Sequence, residues 1–317
     1  MFVMTRYFDK LLLIANPAAQ NGFGRAAALR AEALLASALG EGTATLVLTE
    51  HAGQASELAE RAIRDGFDFV VALGGDGVAN EVANGLMRVP EARRPAFGLI
   101  PVGSGNDYAR TLGMAKSLDS AVLQLIGAPF HTLDVGRCND RWFLETLSFG
   151  LDAAIALDTV ARRVRTGKTG TMLYLQAGID QLLHHLDVCR YEVSFDGADP
   201  EDGCSYLFAV QVGKTYGGGF AICPKADPRD GLFDVCIAHP PLSRAAATGI
   251  FLLAKNGHHT GFKKVVELRR ARSLSLRFEK PLPVQIDGEE LLGTSFDISI
   301  VPRALRVAAP VFSKGER

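Results

Sequence analysis

The stretch from Phe69 to Leu86 constrains this 317-residue chain more than any other. Phe69-Val70-Val71-Ala72-Leu73 is an unbroken apolar run. That is the pattern of a strand buried on both faces, as in a parallel sheet. The run stops at Gly74-Gly75-Asp76-Gly77, after which Val82 and Leu86 recur at helical spacing. The reading is strand, glycine turn, helix. In an open α/β sheet, ligands lie beyond the carboxyl ends of the strands. Glycines let the backbone approach a ligand, and the helix that follows offers N–H groups and a positive dipole end to phosphate. A carboxylate there is unfavourable unless it faces a cation such as Mg²⁺. The stretch therefore points to a nucleotide whose metal is held by Asp76. Asp-Gly after an apolar run also suits a hairpin turn, so the surrounding chain has to decide.

That chain alternates. Lys10–Ala15 reads as a first buried strand and Arg25–Leu39 as an Ala/Leu-rich helix. Ala44–Thr49 reads as a strand, Ala55–Arg64 as a helix and Ala96–Ile100 as a fourth strand. The order β-α-β-α-β-α-β implies a parallel, Rossmann-like sheet with right-handed crossovers. The loop after the first strand contains Gly22-Phe23-Gly24-Arg25-Ala26-Ala27, which matches a dinucleotide fingerprint. Asn16 to Asn21 separate it from the strand, where that fingerprint needs a tight turn. The loop reads instead as one that wraps a nucleotide from outside, with Asn16 fixing it. The fourth strand runs into Pro101-Val102-Gly103-Ser104-Gly105-Asn106-Asp107, a second glycine turn with a carboxylate. Ser104 can donate to phosphate and Asp107 can join Asp76 on a metal. Asn106 and Asp107 can equally cap the helix that follows.

After Leu133 the texture changes. Phe143–Gly150, Tyr191–Phe195, Leu207–Val212, Leu232–Ala238, Ser273–Phe278, Val284–Ile286 and Phe296–Val301 are short apolar or alternating runs separated by Gly, Pro and Asp. They predict a β-sandwich. Two helical stretches, Thr171–Leu186 and Arg244–Lys255, interrupt it. The basic clusters Arg162, Arg163, Arg165, Lys168 and Lys263, Lys264, Arg269, Arg270, Arg272 suit a solvated face or anionic headgroups. The loop Pro224–Asp234 carries Asp227, Asp230 and Asp234 around a glycine, which suits either a hard-cation site or a plain turn. Asp287-Gly288-Glu289 ends a strand, and a carboxylate there can take a proton from a substrate hydroxyl. The pairs His184-His185 and His258-His259 lack metal-ligand spacing and suit core or surface roles.

Composition narrows the class. With 34 basic and 35 acidic residues, no global basic field favours nucleic acid. Five cysteines without C-x-x-C spacing argue against a disulfide framework or zinc site and for a reducing cytoplasm. Arg6, Asp9 and Lys10 flank a very short apolar run, unlike a signal peptide. No stretch approaches the roughly 18 apolar residues of a membrane span.

Together, Asn16-Pro17-Ala18-Ala19-Gln20-Asn21-Gly22, Gly74 to Leu86, Pro101 to Arg110, Leu133-Asp134-Val135-Gly136, Gly217 to Asp234 and Asp287-Gly288-Glu289 resemble the diacylglycerol kinase catalytic family. The bacterial soluble lipid kinases, YegS-like proteins included, are the most similar branch. The resemblance implies a kinase that transfers the γ-phosphate of ATP to a lipid hydroxyl, diacylglycerol or a related lipid, in phospholipid biosynthesis. It implies a nucleotide domain over 1–133, a lipid-substrate sandwich over 134–302, a tail over 303–317 returning to the first, and ATP in a cleft between the domains. Asn16, Pro17, Ala18, Ala19, Gln20, Thr49, Gly74, Gly75, Asp76, Gly77, Val78, Ala79, Asn80, Glu81, Ser104 and Asn106 match or adjoin its ATP positions. Asp76, Asp107 and Asp134 match its catalytic Mg²⁺ network. Asp287 and Glu289 jointly match its proton acceptor. Asp230, with backbone oxygens of Asp227 and Leu232, matches a second, structural Mg²⁺ site. The expected partner is a lipid at a membrane surface touched from the cytoplasm, and a homodimer is compatible. Val78 stands where the family usually has Thr, which removes a hydroxyl near the phosphates. The rival classes are a kinase for a soluble acceptor such as NAD or a sugar, and a nucleotide-binding protein without catalysis.

Overall fold

The structure is a computed structural model, and it describes residues 8–310. Arg6 and the part of the expected tail beyond 310 lie outside the described residues. The chain divides into two compact units. One runs to Leu133 and takes in the chain again from Arg303; the other is Asp134–Pro302.

The first unit alternates strands and helices. In chain order these are β1 (Leu11–Ala15), α1 (Ala19–Gly22), α2 (Gly24–Leu39), β2 (Ala44–Leu48), α3 (Gln54–Arg61), β3 (Phe69–Gly74), α4 (Asp76–Met87), β4 (Ala96–Pro101), α5 (Asp107–Thr111) and α6 (Leu118–Gly127). Every residue of β1, β3 and β4 is buried, which is why their sequences show no polar alternation. The strands pair in parallel in the order β2-β1-β3-β4. Val307, in the returning segment, pairs in parallel with Phe97 of β4. From β1 the chain moves outward to β2, then returns to place β3 on the other flank of β1. That reversal is a topological switch point, where open α/β sheets bind ligands. The loops at its carboxyl end are Asn16–Gln20 and Gly74–Gly77.

The second unit contains β5 (Phe130–Cys138, which enters from the first unit), β6 (Arg141–Phe143), β7 (Thr146–Gly150), α7 (Leu151–Thr166), α8 (Thr171–His184), β8 (Cys189–Phe195), β9 (Glu201–Ser205), β10 (Leu207–Gln211), β11 (Phe233–Ala238), α9 (Arg244–Ala254), β12 (Val266–Ala271), β13 (Ser273–Phe278), β14 (Val284–Ile286), β15 (Glu289–Glu290) and β16 (Ser295–Ala308). An antiparallel sheet runs β12-β11-β10-β7-β14-β15. Strands β16, β13, β8 and β9 form antiparallel pairs beside one another. Alternate residues of the two layers, among them Phe149, Phe208 and Val235 against Leu276, Phe278 and Phe296, close one apolar core. Phe149 lies 5.0 Å from Phe296 and 5.2 Å from Phe278, ring centre to ring centre. The intervening residues Ala209 and Cys236 belong to a second cluster with Ile155, Tyr174 and Ala177 from the helices. The central sheet is therefore buried on both faces, and the run Leu207–Val212 lacks alternation for that reason.

Helix α7 is a further helix beside the two expected from the sequence, and it carries the arginines of the first basic cluster. Its buried residues Ile155 and Thr159 keep a spacing of four. Strand β12 places Arg269 and Arg270, from the second basic cluster, in a sheet. Much of the basic character is neutralised locally. Arg162 pairs with Asp158 and Asp180, and Arg269 with Glu201 and Glu267. His259 is a core residue, 3 % exposed, with Nε2 3.0 Å from the Ile222 carbonyl.

Candidate active site

The first unit brings three loops together at the carboxyl ends of β1, β3 and β4. Asn16 N–H donates to the Leu73 carbonyl at 3.1 Å, which ties the first loop to the end of β3. The Asn16 side-chain oxygen accepts from Ala18 N–H at 2.9 Å, an Asx turn that fixes the Pro17–Gln20 path. Gln20 has φ 47°, and its amide donates to the Gly103 carbonyl at 3.2 Å. Thr49 N–H donates to the Ala15 carbonyl at 2.9 Å, so the end of the β2 path borders the same loop. The fingerprint-like Gly24 serves packing: a Cβ there would lie 2.1 Å from the Asn16 carbonyl oxygen.

The two glycine turns touch backbone to backbone. A Cβ on Gly103 would lie 2.3 Å from the Gly75 Cα. Asn106, in the left-handed region at φ 55°, clamps the second turn. Its oxygen accepts from Gly103 N–H at 2.9 Å and its amide donates to the Gly103 carbonyl at 2.8 Å. Gly75 is the N-cap of α4 and, having no side chain, supplies no side-chain cap to it. Asp76 Oδ1 accepts from Tyr108 N–H at 3.1 Å, so the carboxylate also closes the start of α5. Asp107 is buried and its Oδ1 takes an Arg110 guanidinium N–H at 2.8 Å.

Asp76 and Asp107 converge on one bare position. A Cβ on Gly105 would lie 2.7 Å from Asp76 Oδ2 and 3.4 Å from Asp107 Oδ2. Two carboxylates beside the amides of the glycine turns would suit Mg²⁺ through their Oδ2 atoms, the Arg110 guanidinium engaging only Asp107 Oδ1; Mg²⁺ takes one or two protein carboxylates plus substrate phosphates instead of an all-protein cage. Among the described residues, no group of three or more His, Cys, Asp or Glu could hold a metal ion unaided. The ATP positions do not all face the turn. Ala79 is fully buried and Asn80 is 3 % exposed, its oxygens bonded by the Asn84 amide, so both belong to the inner face of α4. Val78 is buried too, and its Cγ1 would lie 2.5 Å from a Cβ on Gly74, so its side chain packs against the turn. Gly75, Asp76, Gly77, Glu81 and Ser104 stay accessible.

In the second unit, Asp134 meets the Asp227–Asp234 loop. Its Oδ2 accepts from Gly231 N–H at 2.7 Å, and its N–H donates to the Pro228 carbonyl at 2.8 Å. The carboxylates of that loop already face cations. Arg229 makes two bonds of 2.7 Å to Asp227, and this partner pulls the Asp227 pKa down. Arg270 bonds Asp230 directly and stands 3.4 Å from Asp234. The remaining Asp230 oxygen accepts from Leu232 N–H at 3.1 Å. Of the groups expected to hold a second Mg²⁺, the Asp230 carboxylate is taken by the Arg270 guanidinium, whose charge opposes a cation there, while Arg229 engages the Asp227 side chain and not its carbonyl.

The Asp287–Glu289 turn divides its two carboxylates. Asp287, at φ 46°, accepts from the N–H groups of Leu144, Glu145 and Thr146 at 2.6, 3.1 and 2.9 Å. Glu289 is half-exposed and bonded to Arg141. A further carboxylate escaped the sequence reading. Asp152 is 2 % exposed, and the Tyr174 and Tyr216 hydroxyls donate to its Oδ1. Burial pushes its pKa up to about 6, with the Ser148, Tyr216 and Tyr174 hydroxyls offsetting part of the rise. Its partners lie 22 and 64 positions away, so no local motif could reveal it.

An α/β unit with paired glycine turns at its switch point, joined in sequence to an antiparallel two-layer unit, defines a structural class. Comparison with known proteins narrows it. Residues 10–138 match the diacylglycerol kinase catalytic domain, and residues 145–309 match the YegS C-terminal NAD kinase beta sandwich-like domain. The chain belongs to this diacylglycerol kinase/YegS family. It is 29 % identical over 242 residues to a diacylglycerol kinase of Staphylococcus aureus strain JH9, covering 76 % of this chain and 74 % of that one. A crystal structure of a diacylglycerol kinase from Bacillus anthracis str. Sterne superposes with a TM-score of 0.78 at 22 % identity, covering 96 % and 98 % of the two chains. An NAD kinase from Archaeoglobus fulgidus, crystallised in complex with ATP, shares the fold with a TM-score of 0.54 at 16 % identity, covering 96 % and 94 %.

Proposed function

We propose that this chain is an ATP-dependent lipid kinase that moves the γ-phosphoryl group of ATP to a hydroxyl of diacylglycerol or a related lipid. The observation that carries this is the convergence of Asp76 and Asp107 on Gly105, where the turns after β3 and β4 touch. Phosphoryl transfer depends mainly on positioning and charge neutralisation. The main-chain amides of Gly75–Gly77 and the Ser104 hydroxyl bind phosphate oxygens, and the uncapped first turn of α4 adds its dipole. Mg²⁺ held by Asp76 and Asp107 would neutralise charge on the transferring phosphate. The Asp287–Glu289 turn supplies the carboxylate that takes the proton of the lipid hydroxyl.

A kinase acting on a bilayer lipid needs a surface that meets the bilayer. Val164 and Met172, 83 % and 64 % exposed, lie at the α7–α8 junction beside Arg163, Arg165 and Lys168, which supports a peripheral contact. Among the described residues no helix is long and apolar enough to cross a membrane. The test is labelled ATP with vesicles of mixed lipid extract, set against NAD and sugars as soluble acceptors. A labelled lipid product that Asp76→Ala abolishes is the expected result; label only in a soluble acceptor overturns the lipid assignment. Asp76→Ala should cost at least about 10²-fold in turnover, while the melting temperature stays within a few degrees.

A further inference from the structure

The Asp227–Asp234 loop is built around arginine. Asp234 lies on β11, directly opposite Arg270 of β12 in the antiparallel register. From there the Arg270 guanidinium reaches across to Asp230 while its Nε stays 3.4 Å from Asp234. Arg229 grips Asp227 with two bonds of 2.7 Å, and Lys214 adds further positive potential at that carboxylate. Three carboxylates thus face two guanidinium groups and one ammonium, and of these carboxylates Asp234 is the least satisfied, its buried Oδ2 having no hydrogen-bond partner. The loop in turn holds Asp134 at both ends, through Gly231 N–H to its carboxylate and through the Pro228 carbonyl to its N–H.

A divalent ion bridging Asp230 and the loop would have to enter beside a fixed cation already bonded to the same carboxylate. Like charges at hydrogen-bond distance oppose that entry strongly. A guanidinium also offers planar, forked donors that match carboxylates.

We propose that Arg270 is the resident cation of this loop, in the role a structural divalent ion would have, and that through Gly231 it positions Asp134. The second half rests on the kinase reading and on the resemblance that implies Asp134 in its Mg²⁺ network. The first half does not, and its test needs no turnover. Nucleotide-free protein is melted in EDTA, in millimolar Mg²⁺ and in millimolar Ca²⁺, as wild type, Asp230→Asn, Arg270→Lys and Arg270→Leu. Wild type should melt at the same temperature in all three, or respond to the same extent as Asp230→Asn. Arg270→Leu should melt lower in EDTA and recover on adding either ion, because Asp230 and Asp234 are then left to bind it. Arg270→Lys should keep the wild-type indifference. A general loss of packing would not create a new cation dependence. A rise with Mg²⁺ in wild type that Asp230→Asn removes overturns the proposal, and this pair decides even if Arg270→Leu does not fold. An absence of lipid phosphorylation would sink the kinase reading and leave these melting results untouched.

Discussion

Replacing Asp152 with Asn isolates one buried charge. The carboxylate sits in the first turn of α7, 2 % exposed, with the Tyr174 hydroxyl 3.1 Å away and the Tyr216 hydroxyl also bonded to it. Its folded pKa rises from 3.8 to about 6, chiefly because burial removes water from the charged form. Tyr216 is pushed well above its ordinary value by burial and by Asp152, so it remains a donor throughout the accessible range. A carboxyl whose pKa is higher folded than unfolded keeps its full contribution below the unfolded value. That contribution is lost as pH rises through the folded value. At about 1.4 kcal/mol per pH unit, the rise of about two units amounts to about 3 kcal/mol, lost between pH ~3 and pH ~7. Asparagine keeps an acceptor for both tyrosines and does not titrate. The two proteins should therefore be nearly equal in stability at pH ~3, while Asp152→Asn should be more stable by about 3 kcal/mol at pH ~7. Urea unfolding followed by circular dichroism at a series of pH values measures this difference directly. A constant difference across that range would refute the reasoning, since the carboxyl would then titrate alike in both states.

Three further outcomes follow from the geometry. Gly103→Ala puts a Cβ 2.3 Å from the Gly75 Cα and 2.6 Å from the Asn106 oxygen, and should cost on the order of 1–3 kcal/mol in stability as well as affinity for an ATP analogue; unchanged calorimetric binding would separate the two turns from the nucleotide. At least one of Asp287→Asn and Glu289→Gln should lower turnover by roughly 10²–10⁴-fold with ATP affinity retained, and full activity in both would place the proton acceptor elsewhere. Asp287→Ala should also destabilise the fold by several times as much as Glu289→Ala, because it strands three main-chain donors whereas Glu289 loses one half-exposed ion pair; equal melting temperatures would contradict that division.

The sequence by itself determined the alternating strands and helices of the first unit and the position of both glycine turns. Those features are local: an apolar run fixes a doubly buried strand, and glycines mark where backbones must meet. It also determined that Asp76 and Asp107 follow those strands, because each carboxylate stands a few residues from a strand end. The tertiary structure alone decided the partners. Whether Asp230 faces an ion or an arginine depends on β12 lying in register with β11, which brings in Arg270 from 40 positions away. It also decided that Asp152 is buried among tyrosines and that Ala79 and Asn80 turn inward. A carboxylate's chemistry depends on the charges and water around it, and those come from segments distant in the chain, so spacing along the sequence could not show them.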